Sequence, residues 1–365
     1  MPQEFPIQAA MWPELFFRLE GPHKLTLHSI SERPKMSALL YEFEAAPTQN
    51  DLQYSFRQGA DVLPLPCFAV DVIAEKDGVA RVQTSFYATN NSDIKHKSKD
   101  MQLTGHVETD LIYRFDSSMH LFPYCWRHDF GTLEPLLAAA PVLSDITDKG
   151  ITHYRTMTDI ELSNFQHYSK LFGRIERIAD VDLRERLNVR NKLEYCGIPE
   201  GRYMVAHPMT GQNTVAGLID TLGSKYNYIR HQQLYTVSTD DLDEAYFLLG
   251  MLNSSVLNKF IQPFQNTGLF GGRHVHTLPR QFIPKYDSNK LAHKRLSTYS
   301  KDLHAEIVLN MPDNIVLELI DLDKKFAGGR VAGERKKVLR AFGKEFIVLD
   351  ELVEAAISGA GVNMV

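Results

Sequence analysis

Asp241-Leu-Asp-Glu-Ala-Tyr-Phe-Leu-Leu-Gly-Met-Leu-Asn-Ser-Ser255 decides how this chain is read. Asp241 followed by Glu244 fits a capping box: the first carboxylate accepts from a free amide at the helix start, and the second reaches back to the cap. Leu242, Ala245, Leu249, Leu252, Val256 and Phe260 recur at three- and four-residue intervals. That spacing predicts an amphipathic helix of about five turns, docked through one apolar stripe. Pro263 should end it, because proline lacks the amide and disfavours a helical residue before it. Such a stripe is a core face before it is anything else.

Downstream, Gly268 and the pair Gly271-Gly272 free the backbone for positive φ or for close approach by another chain. Arg273, His274 and His276 follow directly; strand alternation puts Arg273, Val275 and Thr277 on one face and the two histidines on the other. A glycine turn feeding a basic edge suits phosphates or base edges. Its plainer reading is a tight turn beside a solvated strand. Phe282-Ile-Pro-Lys-Tyr-Asp287 then reads as a proline-delimited loop.

The 365 residues suffice for two domains or one large one, and 44% hydrophobic with 23% charged residues is ordinary globular composition. No run approaches the roughly twenty apolar residues of a membrane span, and Met-Pro-Gln-Glu-Phe-Pro at the start lacks the pattern of a secretory signal, so a cytoplasmic protein is expected. Cys67, Cys125 and Cys196 are too few and too scattered for a disulfide framework or a zinc ribbon, which predicts reduced, buried thiols. The net charge of -5 is unevenly spread: 13 basic against 20 acidic residues in 1–150, 19 against 16 in 151–310, and 8 against 9 in 311–365. Only the middle region is basic. DNA affinity that rests on lysine and arginine opposite phosphates should therefore be weak, and a partner would help.

Residues 1–150 form a β-rich part, with strands expected at Lys24–His28, Phe68–Ile73, Val79–Tyr87 and Leu111–Phe115. Asp77-Gly78 marks a short hairpin turn. Asn90–Asp100 reads as an exposed polar loop, Thr132–Val142 as a helix, and Asp159–Phe172 as a helix with Asp159 as its N-cap. Residues 201–237 return to strand patterning, and Leu291 onwards is helical. In the tail, 311–365, Val316–Phe326 and Glu334–Ile357 read as an antiparallel helical pair joined by Ala327-Gly-Gly-Arg330 and packed on the body.

The order of these features over residues 165–305 resembles the target-recognition region of large adenine-specific DNA methyltransferases of restriction-modification and phage-defence systems. Phe172-Gly-Arg174, Leu187-Asn-Val-Arg-Asn-Lys192, Tyr228-Ile-Arg-His-Gln-Gln-Leu-Tyr235 and Asp240-Asp-Leu-Asp-Glu244 stand where that family has its aromatic-basic stretch and its lead into the capped helix. Arg273-His-Val-His276, Leu278-Pro279 and Ile283-Pro-Lys285 look like its basic strand and proline steps. Gly105-His-Val-Glu108 and Leu111-Ile-Tyr-Arg114 match more loosely. The resemblance implies an α+β chain: a β-rich N-terminal part, a mixed α/β recognition-like domain over 151–310 and a helical tail. It implies double-stranded DNA as a partner, read mainly in the grooves. The residues it points to are Arg230, His231, Gln232, Arg273, His274 and His276, supported by Tyr228, Lys225 and Arg280.

Catalysis is a different matter. That family carries a glycine-rich turn for S-adenosylmethionine and an Asn/Asp-Pro-Pro-Tyr/Phe tetrapeptide whose aromatic stacks on the flipped adenine, and this chain has neither. Gly359-Ala-Gly361 has no helix after it, and Asn310-Met-Pro-Asp313 and Pro208-Met-Thr-Gly211 do not fit the tetrapeptide. The expectation is therefore a non-catalytic chain, with S-adenosylmethionine bound by a partner methyltransferase domain or subunit. Serine-hydrolase and nucleotide-loop motifs are missing too. Asp71, Glu75 and Lys76 suggest a nuclease cluster only superficially, since they flank a hairpin turn. His274 with His276, or Cys125 with His128, falls short of a metal set. Two other readings stay open: an interaction scaffold without DNA binding, favoured by the acidic N-terminal third, and a nuclease or hydrolase with an unrecognised site.

Overall fold

The computed structural model describes residues 25–29, 37–41, 54–62, 65–85, 103–131, 134–143, 154–189, 192–193, 201–211, 213–262, 265–268, 271–273, 282–321 and 328–358. The strands are β1 (Leu25–Ser29), β2 (Ser37–Tyr41), β3 (Arg57–Gln58), β4 (Ala69–Lys76), β5 (Val79–Thr84), β6 (Thr104–Glu108), β7 (Ile112–Arg114) and β8 (Leu136–Ala138). They continue with β9 (Pro141–Leu143), β10 (Tyr154–Thr156), β11 (Tyr203–Pro208), β12 (Gly217–Asp220), β13 (Asn227–Tyr228), β14 (Leu234–Thr239), β15 (Asn266–Gly268) and β16 (Gly271–Arg273). The helices are α1 (Asp159–Ser163), α2 (Gln166–Ala179), α3 (Leu183–Leu187), α4 (Leu242–Asn253), α5 (Ser255–Ile261), α6 (Leu291–Asn310), α7 (Asp313–Asp321), α8 (Gly328–Ala341) and α9 (Gly343–Ser358). The class is α+β, with strands concentrated early and helices late.

A six-stranded sheet runs β13-β7-β8-β4-β5-β6, antiparallel except for the parallel pair β13–β7. Its β4–β5 hairpin turns at Asp77 and Gly78, both at positive φ (52° and 76°), as a two-residue turn matching strand twist requires. An antiparallel four-stranded sheet runs β12-β11-β14-β3. Helix α2 covers the first sheet through Tyr168, Leu171, Phe172, Ile175 and Ala179, which recur at helical spacing and lie in the sheet's own apolar cluster. Each such buried side chain contributes about 1.5–3 kcal/mol. Phe165 gives α2 no side-chain cap; instead the Glu108 carboxylate of β6 accepts from the His167 and Tyr168 amides, both at 2.9 Å. A second apolar cluster joins α4–α9 to the four-stranded sheet and to Tyr54, Phe122 and Tyr124.

Several expectations need correction. Thr132–Val142 is not a helix: the run Leu136–Ala138 is β8, buried between β7 and β4, with β9 following at Pro141. Thr158, not Asp159, caps the next helix, in a box closed by Glu161, and the chain breaks at Asn164 before α2 begins. The expected five-turn helix is two. Helix α4 ends at Asn253, and Ser254, extended at φ -74° and ψ 143°, caps α5 by accepting from the Val256 amide. Nor is α4 a one-stripe helix, for Phe247 to Asn253 are all buried. Asp241 caps it as expected, accepting from Asp243 and Glu244 amides, whereas the Glu244 carboxylate turns away to Tyr54, Thr239 and Lys285. The tail forms three helices, not two, and Gly328, expected in the joint, starts α8. The Asn90–Asp100 loop, Cys196 and the Gly359-Ala-Gly361 turn lie outside the described residues. Cys67 and Cys125 are free and buried.

The break at Asn253-Ser254-Ser255 ties three elements together. Asn253 behaves as a strand partner, its Oδ1 accepting from the Ala216 amide (2.9 Å) and its Nδ2 donating to the Ala216 carbonyl (3.0 Å). Asn258 Oδ1 accepts from the Thr214 amide at 2.6 Å. The Ser254 hydroxyl and the Ser255 amide both donate to Asp350 Oδ1 of α9 at 2.8 Å. The tail is also fastened by two arginines, one buried and one half-buried: Arg127 Nε donates to the Leu319 carbonyl at the end of α7 (2.6 Å), and Arg335 of α8 donates to the Leu121 and Ser118 carbonyls.

Candidate nucleic-acid interface

The segment 54–62 runs between the two sheets and brings distant cations together. In the β14–β3 register Thr236 stands opposite Arg57, so their side chains share one face. The Thr236 hydroxyl accepts from Arg230 Nη1 at 3.2 Å and donates to the Arg57 carbonyl. Arg230 is held by its backbone: its carbonyl accepts from the Ala60 amide at 2.7 Å, and the Gln232 amide donates to the Ala60 carbonyl at 2.9 Å. Only glycine fits beside it at position 59, where a Cβ would lie 2.0 Å from the Arg230 carbonyl oxygen. Lys285, from the Ile-Pro-Lys loop, completes the set.

These residues line a cleft of about 220 Å³ with Tyr54, Ser55, Thr236, Ser238 and Glu244. Three cations face it and one carboxylate. Glu244 organises the wall: it accepts from the Tyr54 hydroxyl (3.0 Å), from Lys285 (2.5 Å) and from the Thr239 hydroxyl (2.5 Å). Burial alone would raise its carboxyl, and the bonds from Lys285, Thr239 and Tyr54 outweigh that and hold it below the ordinary range. Burial, then the charge on Glu244, pushes the Tyr54 phenol up, so it remains a donor. Lys285 also sits 4.6 Å from the centre of the Tyr54 ring, a cation–π contact. The arrangement suits an anion that brings several oxygens, such as a phosphodiester.

Of the residues expected to meet DNA, Arg230 alone lines this cleft. Tyr228 and His231 are less than a tenth exposed and do not line it: Tyr228 pairs with Arg114 of β7, and His231 bridges to Ala60. The His231 ring packs 4.5 Å from that of Phe115 and accepts from the Gln233 amide through Nδ1, and burial pulls its pKa down to about 3. Gln232 is half-buried, with its carbonyl accepting from Gln58 at 2.6 Å. Lys225 is exposed but paired with Glu75, which explains the Asp71–Lys76 carboxylates as part of a braced hairpin. Arg273 ends β16, its backbone opposite Asn266, while His274, His276 and Arg280 lie outside the described residues. Arg57 and Tyr54 had no signal in the sequence; Lys285 stood in a motif but without a role.

A second polar group lies at the end of β7. Arg114 donates to Asp116 (2.7 Å), Glu134 (3.1 Å) and His128 Nε2 (2.7 Å). An arginine can only donate, so Nε2 accepts, and the ring's proton sits on Nδ1, 3.6 Å from Asp116. Burial and the neighbouring Arg114 bring His128 down to about 4, and its one basic nitrogen is already engaged. The group braces Trp126, stacked on His128. Among the described residues no three His, Cys, Asp or Glu side chains cluster to hold a metal, and no helix is long and apolar enough to cross a membrane.

No protein-family model matches this chain, and no curated protein matches it. Among solved structures it is similar to a Type IIL restriction-modification enzyme, MmeI, in complex with DNA, at 14% identity and a TM-score of 0.44. The match covers 95% of this chain and 40% of that one, so the chain spans about two fifths of that protein's length.

Proposed function

We propose that this chain is a duplex-DNA target-recognition module of a restriction-modification or related phage-defence system, working beside a methyltransferase domain or subunit that binds S-adenosylmethionine and modifies adenine. The observation that carries the reading is the cleft: Arg57, Arg230 and Lys285, from three separated segments, converge where one carboxylate stands. Contacts of this kind fix position and register on a duplex. Because Arg230 lines the cleft, its role is to position a phosphate, and base reading falls to Arg273, His274 and His276, with Gln232, Lys225 and Arg280 as neighbours in sequence. Arginine at Arg273 suits guanine by bidentate geometry.

The test is fluorescence anisotropy with a pool of random duplexes across a salt series, comparing the chain with an Arg57→Gln, Lys285→Gln variant. Each lost phosphate contact should flatten the log–log salt slope by about 0.9. A slope flatter by about 1.8, at unchanged melting temperature, supports the reading. Absence of binding at the lowest salt overturns it and favours the interaction scaffold.

A further inference from the structure

Several surface cations of this protein are neutralised by carboxylates. Arg155 is paired with Glu161, Arg184 with Asp159, Arg202 with Asp220, Lys225 with Glu75, and Lys337 with Glu318. Helix α2 carries a group of cations that are not. Its exposed side carries Lys170, Arg174 and Arg177, and none of the three has a carboxylate partner among the described residues. Arg174 reaches the Thr104 carbonyl at 3.5 Å and Arg177 the Gly173 carbonyl at 2.9 Å, bonds that leave both charges uncompensated.

The spacing 170, 174, 177 places the three on one side of the helix. They form a straight row about 10 Å long at 1.5 Å per residue. The row is extended onto the sheet. His167 of α2 lies 5.9 Å, ring centre to ring centre, from exposed His106 of β6, and His106 stands opposite exposed Arg81 of β5. Two nearby carboxylates are turned to backbone amides: Glu108 caps α2 itself, and Glu176 accepts from the Leu183 amide at 3.0 Å, while Asp180 at the helix end is exposed. The edge strand β6 and the helix beside it thus present cations while spending their acids on structure.

We propose that this face of α2, continued by His106 and Arg81, is a second contact with duplex DNA, tracking the phosphates of one strand. The proposal rests on the DNA reading of the cleft but uses different residues. A row of about 10 Å lies alongside about three phosphates of one strand, at 3.4 Å of axis each. It is rigid, because α2 is packed along its whole apolar side. Contacts of this type add affinity without sequence preference.

The experiment is the salt series again, now with Lys170→Gln, Arg174→Gln, Arg177→Gln beside the cleft variant and the unchanged chain, on two unrelated duplexes. The expected result is a slope flatter by about 2 to 3, equal on both duplexes, with a Lys170→Arg, Arg174→Lys, Arg177→Lys variant retaining the original slope. If the unchanged chain binds with a salt slope that the cleft variant reduces and the triple glutamine variant does not, the α2 face is a solvated surface and this proposal falls while the cleft reading stands. If the unchanged chain binds no duplex at low salt, both fall. Should the triple variant fail to fold, single Lys170→Gln and Arg174→Gln variants decide: each must flatten the slope by about 0.9, and two unchanged slopes overturn the proposal.

Discussion

The Asn253–Ser255 break and the cleft at Arg230 are both polar places in an apolar interior, and they are built in opposite ways. At the break, each polar side chain meets a protein group of the complementary kind: Asn253 the Ala216 peptide, Asn258 the Thr214 amide, Ser254 and Ser255 the Asp350 carboxylate. Donors and acceptors balance. At the cleft three cations and one carboxylate line an open space. A conspicuous polar motif inside a helix is thus a packing device, while the sheet edge gathers an excess of positive charge. What separates structure from function here is charge balance, not the presence of polar residues.

That contrast can be broken most severely at Gly59. Gly59→Ala forces a Cβ against the Arg230 carbonyl, and since both are backbone positions the two segments must part. A loss of about 4 kcal/mol or more is expected in denaturant unfolding, together with weaker DNA binding in whatever fraction folds, because Arg230 moves. Wild-type stability in Gly59→Ala would show that the segment 54–62 does not hold Arg230.

The next effect belongs to His231. Its folded pKa, about 3, lies below the ordinary 6.5, so the native state binds the proton less readily than the unfolded chain. Stability is therefore complete above about pH 6.5 and declines as pH falls towards 3, by about 4 kcal/mol for this group. A His231→Phe variant should show a shallower decline between pH 6.5 and 4 than the unchanged chain. Equal declines would mean that His231 is not buried in neutral form.

The smallest effect sharpens the contrast from the other side. Asn253→Ala leaves the Ala216 amide and carbonyl without their partner and should cost about 2 kcal/mol. It should leave the DNA affinity of the folded protein unchanged. Reduced affinity at full folding would place the break in the binding surface, against the distinction drawn above.

Local signals in the sequence were reliable where local physics decides. Asp77-Gly78 fixes a turn whichever sheet it serves, and Asp241 caps α4 because its amides are two and three residues away. Where the outcome depends on remote partners, the sequence was mute or misleading. Leu136 to Val142 is a short apolar run that serves equally as a helix or a buried strand, and its neighbours β7 and β4 settle the matter. Glu244 had the spacing of a capping-box partner, yet Lys285, forty-one residues on, claims its carboxylate. Ser254 broke a helix that periodicity carried straight through, because Asp350 is nearly a hundred residues away. The cleft was least legible of all: residues 57, 230 and 285 meet only through sheet register and loop placement.

Arg335 gives the molecule a joint of unusual chemical neutrality. Half-buried, it donates to the carbonyls of Ser118 and Leu121, and desolvation brings it down only to about 10, so it keeps its proton under any ordinary buffer. Carbonyls do not titrate, and a partly buried bond to a neutral carbonyl is screened less by salt than an exposed ion pair. The helical tail is thus riveted to the body by a fastening blind to acidity and less sensitive to ionic strength than an exposed ion pair. Raising the salt strips counter-charges from the outside while the chassis stays assembled, which makes this a protein whose surface electrostatics can be read without disturbing its frame.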